Sequence, residues 1–166
     1  MDMYDTDKNG TLSAGELNQC PSIKNALAEI DRNGDQAVDL DELITRVRNY
    51  ADSQLGRTTL AAAFTLDGEP LEDAEITFEP EPFLAEAIEP AVGRTNAQGV
   101  AIPRTSSDDA PGITAGMFKV RVSRKDVSGS EEIPKRYNSE TELGQEVSPG
   151  SEALRQGTVL FDLYSR

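Results

Sequence analysis

Two twelve-residue stretches carry the chemistry of this sequence. Residues 5–16 read Asp-Thr-Asp-Lys-Asn-Gly-Thr-Leu-Ser-Ala-Gly-Glu, and residues 31–42 read Asp-Arg-Asn-Gly-Asp-Gln-Ala-Val-Asp-Leu-Asp-Glu. Each sets oxygen-bearing side chains at alternate positions and ends on a glutamate. That spacing suits a hard cation such as calcium, which takes six to eight oxygens at about 2.3–2.6 Å. In the first stretch Asp5, Asp7 and Asn9 can turn inward together, Thr11 offers its carbonyl, Ser13 holds a water and Glu16 closes the shell. In the second, Asp31, Asn33, Asp35, the Ala37 carbonyl, Asp39 and Glu42 take the same roles. Gly10 stands where such a loop must turn with φ > 0. Gln36 stands there in the second loop, at a cost of roughly 1–2 kcal/mol. Leu12 and Val38 are the apolar residues through which the loops would pair.

Over residues 4–50 this pattern resembles the EF-hand superfamily. The resemblance implies two calcium ions. One is held by Asp5, Asp7, Asn9, Thr11 and Glu16, with Ser13 acting through water. The other is held by Asp31, Asn33, Asp35, Ala37 and Glu42, with Asp39 in the outer position. The first hand departs from the pattern, because only Met1–Tyr4 precede its loop and a single turn is not a stable helix.

The elements that would hold these loops read as short helices. Ser13 and Glu16 have capping-box spacing ahead of a helix that Pro21 ends. Ser22 can cap Ile23–Ile30, which carries Ile23, Ala26, Leu27 and Ile30 on one face. Asp39–Tyr50 repeats the pattern with Leu40, Leu43, Ile44 and Val47, leaving Arg46 and Arg48 outside the stripe. Residues 51–56 read as a linker.

From Arg57 the texture is β. A strand over 58–65 leads into the turn Leu66-Asp67-Gly68-Glu69-Pro70. Ala74, Ile76 and Phe78 then alternate with polar residues. Residues 80–90 form an acidic, proline-bounded surface loop, so Glu79, Glu81, Glu86 and Glu89 read as a solvated rim. Residues 91–104 read as a hairpin about Asn96–Gly99, 116–123 as the clearest strand, 124–152 as polar loop and 157–164 as the last strand. Four fragments (Thr65–Leu71, Thr95–Gly99, Gly116–Val120 and Ile133–Tyr137) resemble, in this order, the carboxypeptidase regulatory-like, or transthyretin-like, domains of bacterial cell-envelope proteins. The resemblance implies an antiparallel Greek-key β-sandwich over 57–166 with a non-catalytic role. The expected fold is therefore α+β in two parts: an all-α EF-hand pair over 1–50 and a β-sandwich over 57–166.

Composition narrows the function. The 166 residues carry Lys+Arg 16 against Asp+Glu 30, for a net charge of −14. No basic stripe exists for nucleic acid or an anionic membrane. The chain has His 0 and Cys 1, so it can build no Cys/His zinc site, no histidine-based catalytic pair and no internal disulfide. No run of about 18 apolar residues is present. The expected function is a non-enzymatic, calcium-binding module. Its ions order the helical part, and its sandwich spaces or contacts an unidentified protein partner of the envelope. The expected location is extracytoplasmic, with no signal segment in this sequence. A dockerin-like docking module and a calcium sensor are the alternatives. The sensor is disfavoured because no methionine lies on the pairing helices.

Overall fold

The computed structural model describes residues 1, 3–53, 56–105 and 111–166. The N-terminal part begins with a two-stranded ribbon. β1 (Thr11–Leu12) runs antiparallel to β2 (Val38–Asp39), with Leu12 opposite Val38. A 3-10 turn over Glu16–Gln19, α1 (Pro21–Asn25) and α2 (Leu27–Ile30) lie between them, and α3 (Leu40–Asp52) follows.

The expected all-α EF-hand pair does not form. Among the described residues only α3, with 13 residues, is a helix of any length. Local sequence explains why. The turn after Glu16 has Gly15 at its N-cap and stops at Cys20, ahead of Pro21. Pro21 then starts α1 at a position where its missing N–H costs nothing. At Ala26 the backbone leaves helical values (φ −91°, ψ 5°), splitting α1 from α2. Ser22, expected as a cap, sits inside α1 and is buried. α3 is the exception because it has a full capping box: Asp39 accepts from the Glu42 N–H while Glu42 reaches back to the Asp39 N–H. It extends through Asp52 into the expected linker, of which residues 54 and 55 lie outside the described residues.

The β part holds two open sheets. The remaining strands are β3 (Ala61–Leu66), β4 (Glu69–Pro70), β5 (Glu75–Pro80), β6 (Ala91–Arg94), β7 (Val100–Ala101), β8 (Arg104–Thr105), β9 (Gly116–Ser123), β10 (Gly144–Val147) and β11 (Thr158–Leu163). The larger sheet has the order β10-β9-β5-β6-β8. The smaller has β11-β3-β4, with β7 also paired to β3. Neither sheet curls or closes, and β11 runs parallel to β3. This corrects the expected antiparallel Greek-key sandwich and the regulatory-like domain resemblance that implied it. The hairpin expected over 91–104 divides as well. β6 pairs with β5 and β8 in the larger sheet, while β7 crosses to β3 in the smaller. The crossing turns at Gly99 (φ +74°), where a Cβ would come within 2.4 Å of the Phe64 carbonyl oxygen.

Alternation builds the core between the sheets. Ala62 and Phe64 of β3, Ile76 and Phe78 of β5, Phe118, Val120 and Val122 of β9, and Phe161 and Leu163 of β11 share one apolar cluster. Phe64 stacks on Phe161 at 4.8 Å between ring centroids. Phe78 and Phe118 meet edge to face at 6.2 Å.

A second apolar cluster joins the N-terminal part to the larger sheet. Leu12, Leu17, Ile23, Ile30, Val38 and Leu43 pack with Leu84, Ala115 and Met117. Gly144 of β10 is what allows α1 to lie this close. A Cβ there would sit 2.1 Å from the Pro21 carbonyl carbon and 2.2 Å from the Ser22 nitrogen.

Candidate functional site

The structure draws the first loop round its last residue. Glu16 Oε1 accepts from the Thr6 N–H at 2.6 Å and the Thr6 hydroxyl at 2.9 Å. Glu16 Oε2 accepts from the Ser13 N–H at 2.9 Å and the Ser13 hydroxyl at 2.7 Å. These bonds, led by that from the Ser13 backbone, lower the Glu16 carboxyl to about 2. It therefore stays charged across the physiological range. Asp5 accepts from the N–H groups of Asn9 and Gly10, and Asp7 accepts from the Asn9 N–H at 3.1 Å. Carboxylate oxygens of Asp5, Asp7 and Glu16 all lie within 4.8 Å of one another. Asp5 and Glu16 are buried, and Asp7 is exposed. Asn9 lies beside them: its side-chain amide donates to Asp7 Oδ2 at 3.0 Å, while its side-chain oxygen accepts from the Thr11 N–H and hydroxyl at 2.8 Å each. Thr11 is a ribbon residue opposite Asp39.

The second loop has the same hub and a different outcome. Glu42 Oε1 accepts from the Arg32 N–H at 2.9 Å and Oε2 from the Asp39 N–H at 3.1 Å. Asp31 spends its two oxygens on the N–H groups of Gly34 and Gln36. Asp35 accepts from the Ala37 N–H at 2.9 Å and from the Asn33 amide at 3.0 Å. These carboxylates do not converge. Among the described residues Asp5, Asp7 and Glu16 are the one group of metal-ligating side chains brought together. The expectation of two calcium ions is corrected accordingly: the second loop gathers no donor set, and no paired helix-loop-helix site exists among the described residues. The calcium-ordered EF-hand function, and the dockerin-like and sensor alternatives built on paired calcium loops, fall with it.

Both loops turn left-handed twice, at their fourth and sixth residues. Lys8 (φ +58°) and Gly10 (φ +89°) do so in the first loop, Gly34 (φ +78°) and Gln36 (φ +63°) in the second. Each loop supplies glycine at only one of the two positions. Sequence reading identified the sixth position and missed the fourth.

Sequence reading also missed two buried carboxylates under the N-terminal part. Glu81, expected in a solvated rim, is fully buried. It accepts from the Tyr4 hydroxyl at 2.8 Å and the Ser22 hydroxyl at 2.7 Å, with Lys119 Nζ 3.7 Å away. Glu146 of β10 takes Arg46 in a two-pronged pair, at 2.5 Å to Nε and 2.7 Å to Nη2, and accepts from the Tyr50 hydroxyl. Arg46 therefore faces the sheet, although its place outside the apolar stripe of α3 suggested solvent. Beside Glu81, burial pushes the Cys20 thiol up to about 12, helped by the Glu81 charge. No periodicity points to Glu81 or Glu146. Their partners, Tyr4, Ser22, Arg46 and Tyr50, lie far away in the sequence, and no spacing ties them to these two carboxylates.

No helix among the described residues is long and apolar enough to cross a membrane. No family model, curated protein or solved structure matches the chain.

Proposed function

We propose that this chain is a non-catalytic module with a single oxygen-donor site for a hard divalent cation in its first loop. The observation that carries this is the convergence of Asp5, Asp7 and Glu16 within 4.8 Å. One ion there would offset three carboxylates in a chain of net charge −14. Tyr4 precedes Asp5 directly and bonds the buried Glu81. A filled loop would thus hold the chain's first residues against the larger sheet, a structural role.

A non-catalytic role is supported by side-chain chemistry. The chain has no histidine, and its one cysteine is buried with a raised thiol. An extracytoplasmic setting, with a protein partner there, agrees with the small donor set. Oxygen sites of modest charge bind in roughly the 10⁻⁴–10⁻³ M range and fill where divalent cations are abundant.

The test is titration of the metal-stripped protein with Mg²⁺, Ca²⁺ and Tb³⁺. Stoichiometry is read by calorimetry and by tyrosine-sensitised terbium emission, for which Tyr4 lies next to a ligand. One site is expected. D5N together with E16Q should abolish it, while D31N together with E42Q should leave it intact. No binding, or binding that survives the first pair of substitutions, would sink the proposal.

A further inference from the structure

A groove of about 360 Å³ opens where the N-terminal part meets the smaller sheet. Ala26 and Glu29, at and just beyond the break between α1 and α2, line one side. α4 (Glu152–Gln156) and β11 line the other, and β10 contributes Gln145 and Glu146. None of Asp5, Asp7 and Glu16 lines it, so it is separate from the first loop.

Gln145 is an amide in an apolar place. It pairs with Phe118 of β9 and stands two residues before Val147, so it shares their face of the sheet. Phe118 and Val147 both belong to the core between the sheets. Gln145 is only 8% exposed. Burying an amide is costly unless its polar atoms are bonded. Its nitrogen donates to the Glu146 carbonyl at 2.7 Å, while its oxygen accepts from no described residue. The groove is where that acceptor can be satisfied.

The groove also has charge of one sign. Glu29 and Glu146 line it, and among its described lining residues there is no lysine or arginine. Arg46 approaches both carboxylates from α3, gripping Glu146 with two hydrogen bonds and standing 3.9 Å from the half-exposed Glu29. One guanidinium serves two carboxylates, so one negative charge is left over. Ala26, Ala153 and the 75% exposed Leu160 give the rest of the lining an apolar part.

We propose that this groove binds a short aliphatic diamine. One ammonium neutralises the surplus charge at Glu29, and the other donates to the Gln145 oxygen. The methylenes between them cover Ala26, Ala153 and Leu160. An ammonium brings three donors and no acceptor, which suits a lining whose unmet needs are all for donors. The same charge refuses anions. A sugar would find no aromatic ring among the lining residues to stack on. The volume lies at the small end for ligand sites, in keeping with a ligand of this size.

The test is titration of the full chain, labelled with ¹⁵N, with 1,4-diaminobutane, followed by NMR and calorimetry. One saturable site is expected, with the Gln145 side-chain amide among the signals that move. Glutarate and 1,4-butanediol, of similar length, should not bind. E29Q and Q145L should each weaken the diamine by about ten-fold or more, the loss of one charge-assisted contact or of the one buried acceptor. Leucine suits the apolar face that Gln145 occupies, so Q145L should keep the parent circular dichroism. D5N together with E16Q should leave diamine binding intact, which separates this site from the first loop. Shifts that never saturate, or that spread over the acidic surface and vanish with modest salt, would overturn the proposal. So would binding that survives Q145L, or tighter binding of Nα-acetyl-lysine methylamide, which would point instead to a lysine side chain of a protein.

Discussion

At the scale of single residues, strain and burial make separate predictions. Lys8 and Gln36 hold left-handed backbone without being glycine. K8G and Q36G should each stabilise the protein by about 1 kcal/mol, read by urea denaturation at unchanged slope. No gain from either would mean that the loops relax around these positions. Tyr50 makes the pH prediction. Burial, and then the adjoining Glu146 charge, raise its phenol above the ordinary tyrosine value. A raised pKa means that the neutral phenol is the form the fold holds. Its stabilisation is full below the unfolded value, about pH 10, and is lost as pH rises beyond it. The stability difference between the parent and Y50F should therefore shrink above that pH and stay flat below it. A difference that grows with pH would contradict the buried contact. Of these residues, the strain at Gln36 was legible in the sequence because loop spacing alone demands a left-handed turn there. Tyr50 was not, because its partner lies 96 positions away.

At the scale of elements, the contact between α1 and β10 decides how the N-terminal part is held. G144A places a methyl group where the Pro21 and Ser22 backbone already lies, and backbone cannot rotate aside as a flexible side chain can. The expected cost is about 1–3 kcal/mol. The Arg46–Glu146 pair gives a second measure. Its side chains are 13% and 4% exposed, and R46A would leave the carboxylate with the Tyr50 hydroxyl alone and take from Ser148 the guanidinium its hydroxyl oxygen accepts from. Removing one partner of such a pair costs about 3–5 kcal/mol. Both costs should appear in thermal unfolding, and a neutral result for both would mean that α1 and α3 do not rest on the sheet. The strands inside the larger sheet were legible because β5 alternates throughout and β9 alternates from Phe118 to Ser123. β10 was not, because Gln145 and Glu146 are both buried and break the alternation. The helices were only half legible. The apolar stripe over 23–30 is real, but nothing in its period shows the break at Ala26.

At the scale of the whole molecule, Cys20 reports on cohesion. It is fully buried, its thiol is raised, and it lies beside the Glu81 contact that joins the N-terminal part to the sheet. Its reaction with a thiol reagent should follow the loss of sheet circular dichroism in a single urea transition. Early unmasking, with the sheets still intact, would show the N-terminal part leaving first. The parallel pairing of β3 with β11 was the least legible feature of all. Each strand reads correctly alone, while their direction depends on a path of some ninety residues between them. That pairing also governs synthesis. The centre of the smaller sheet emerges from the ribosome with Ala61–Leu66, yet its parallel neighbour Thr158–Leu163 follows only much later. Throughout that interval β3 travels as an unfinished surface, and a nascent chain stalled within it would present Phe64 without its stacking partner Phe161 to whatever chaperone waits at the exit.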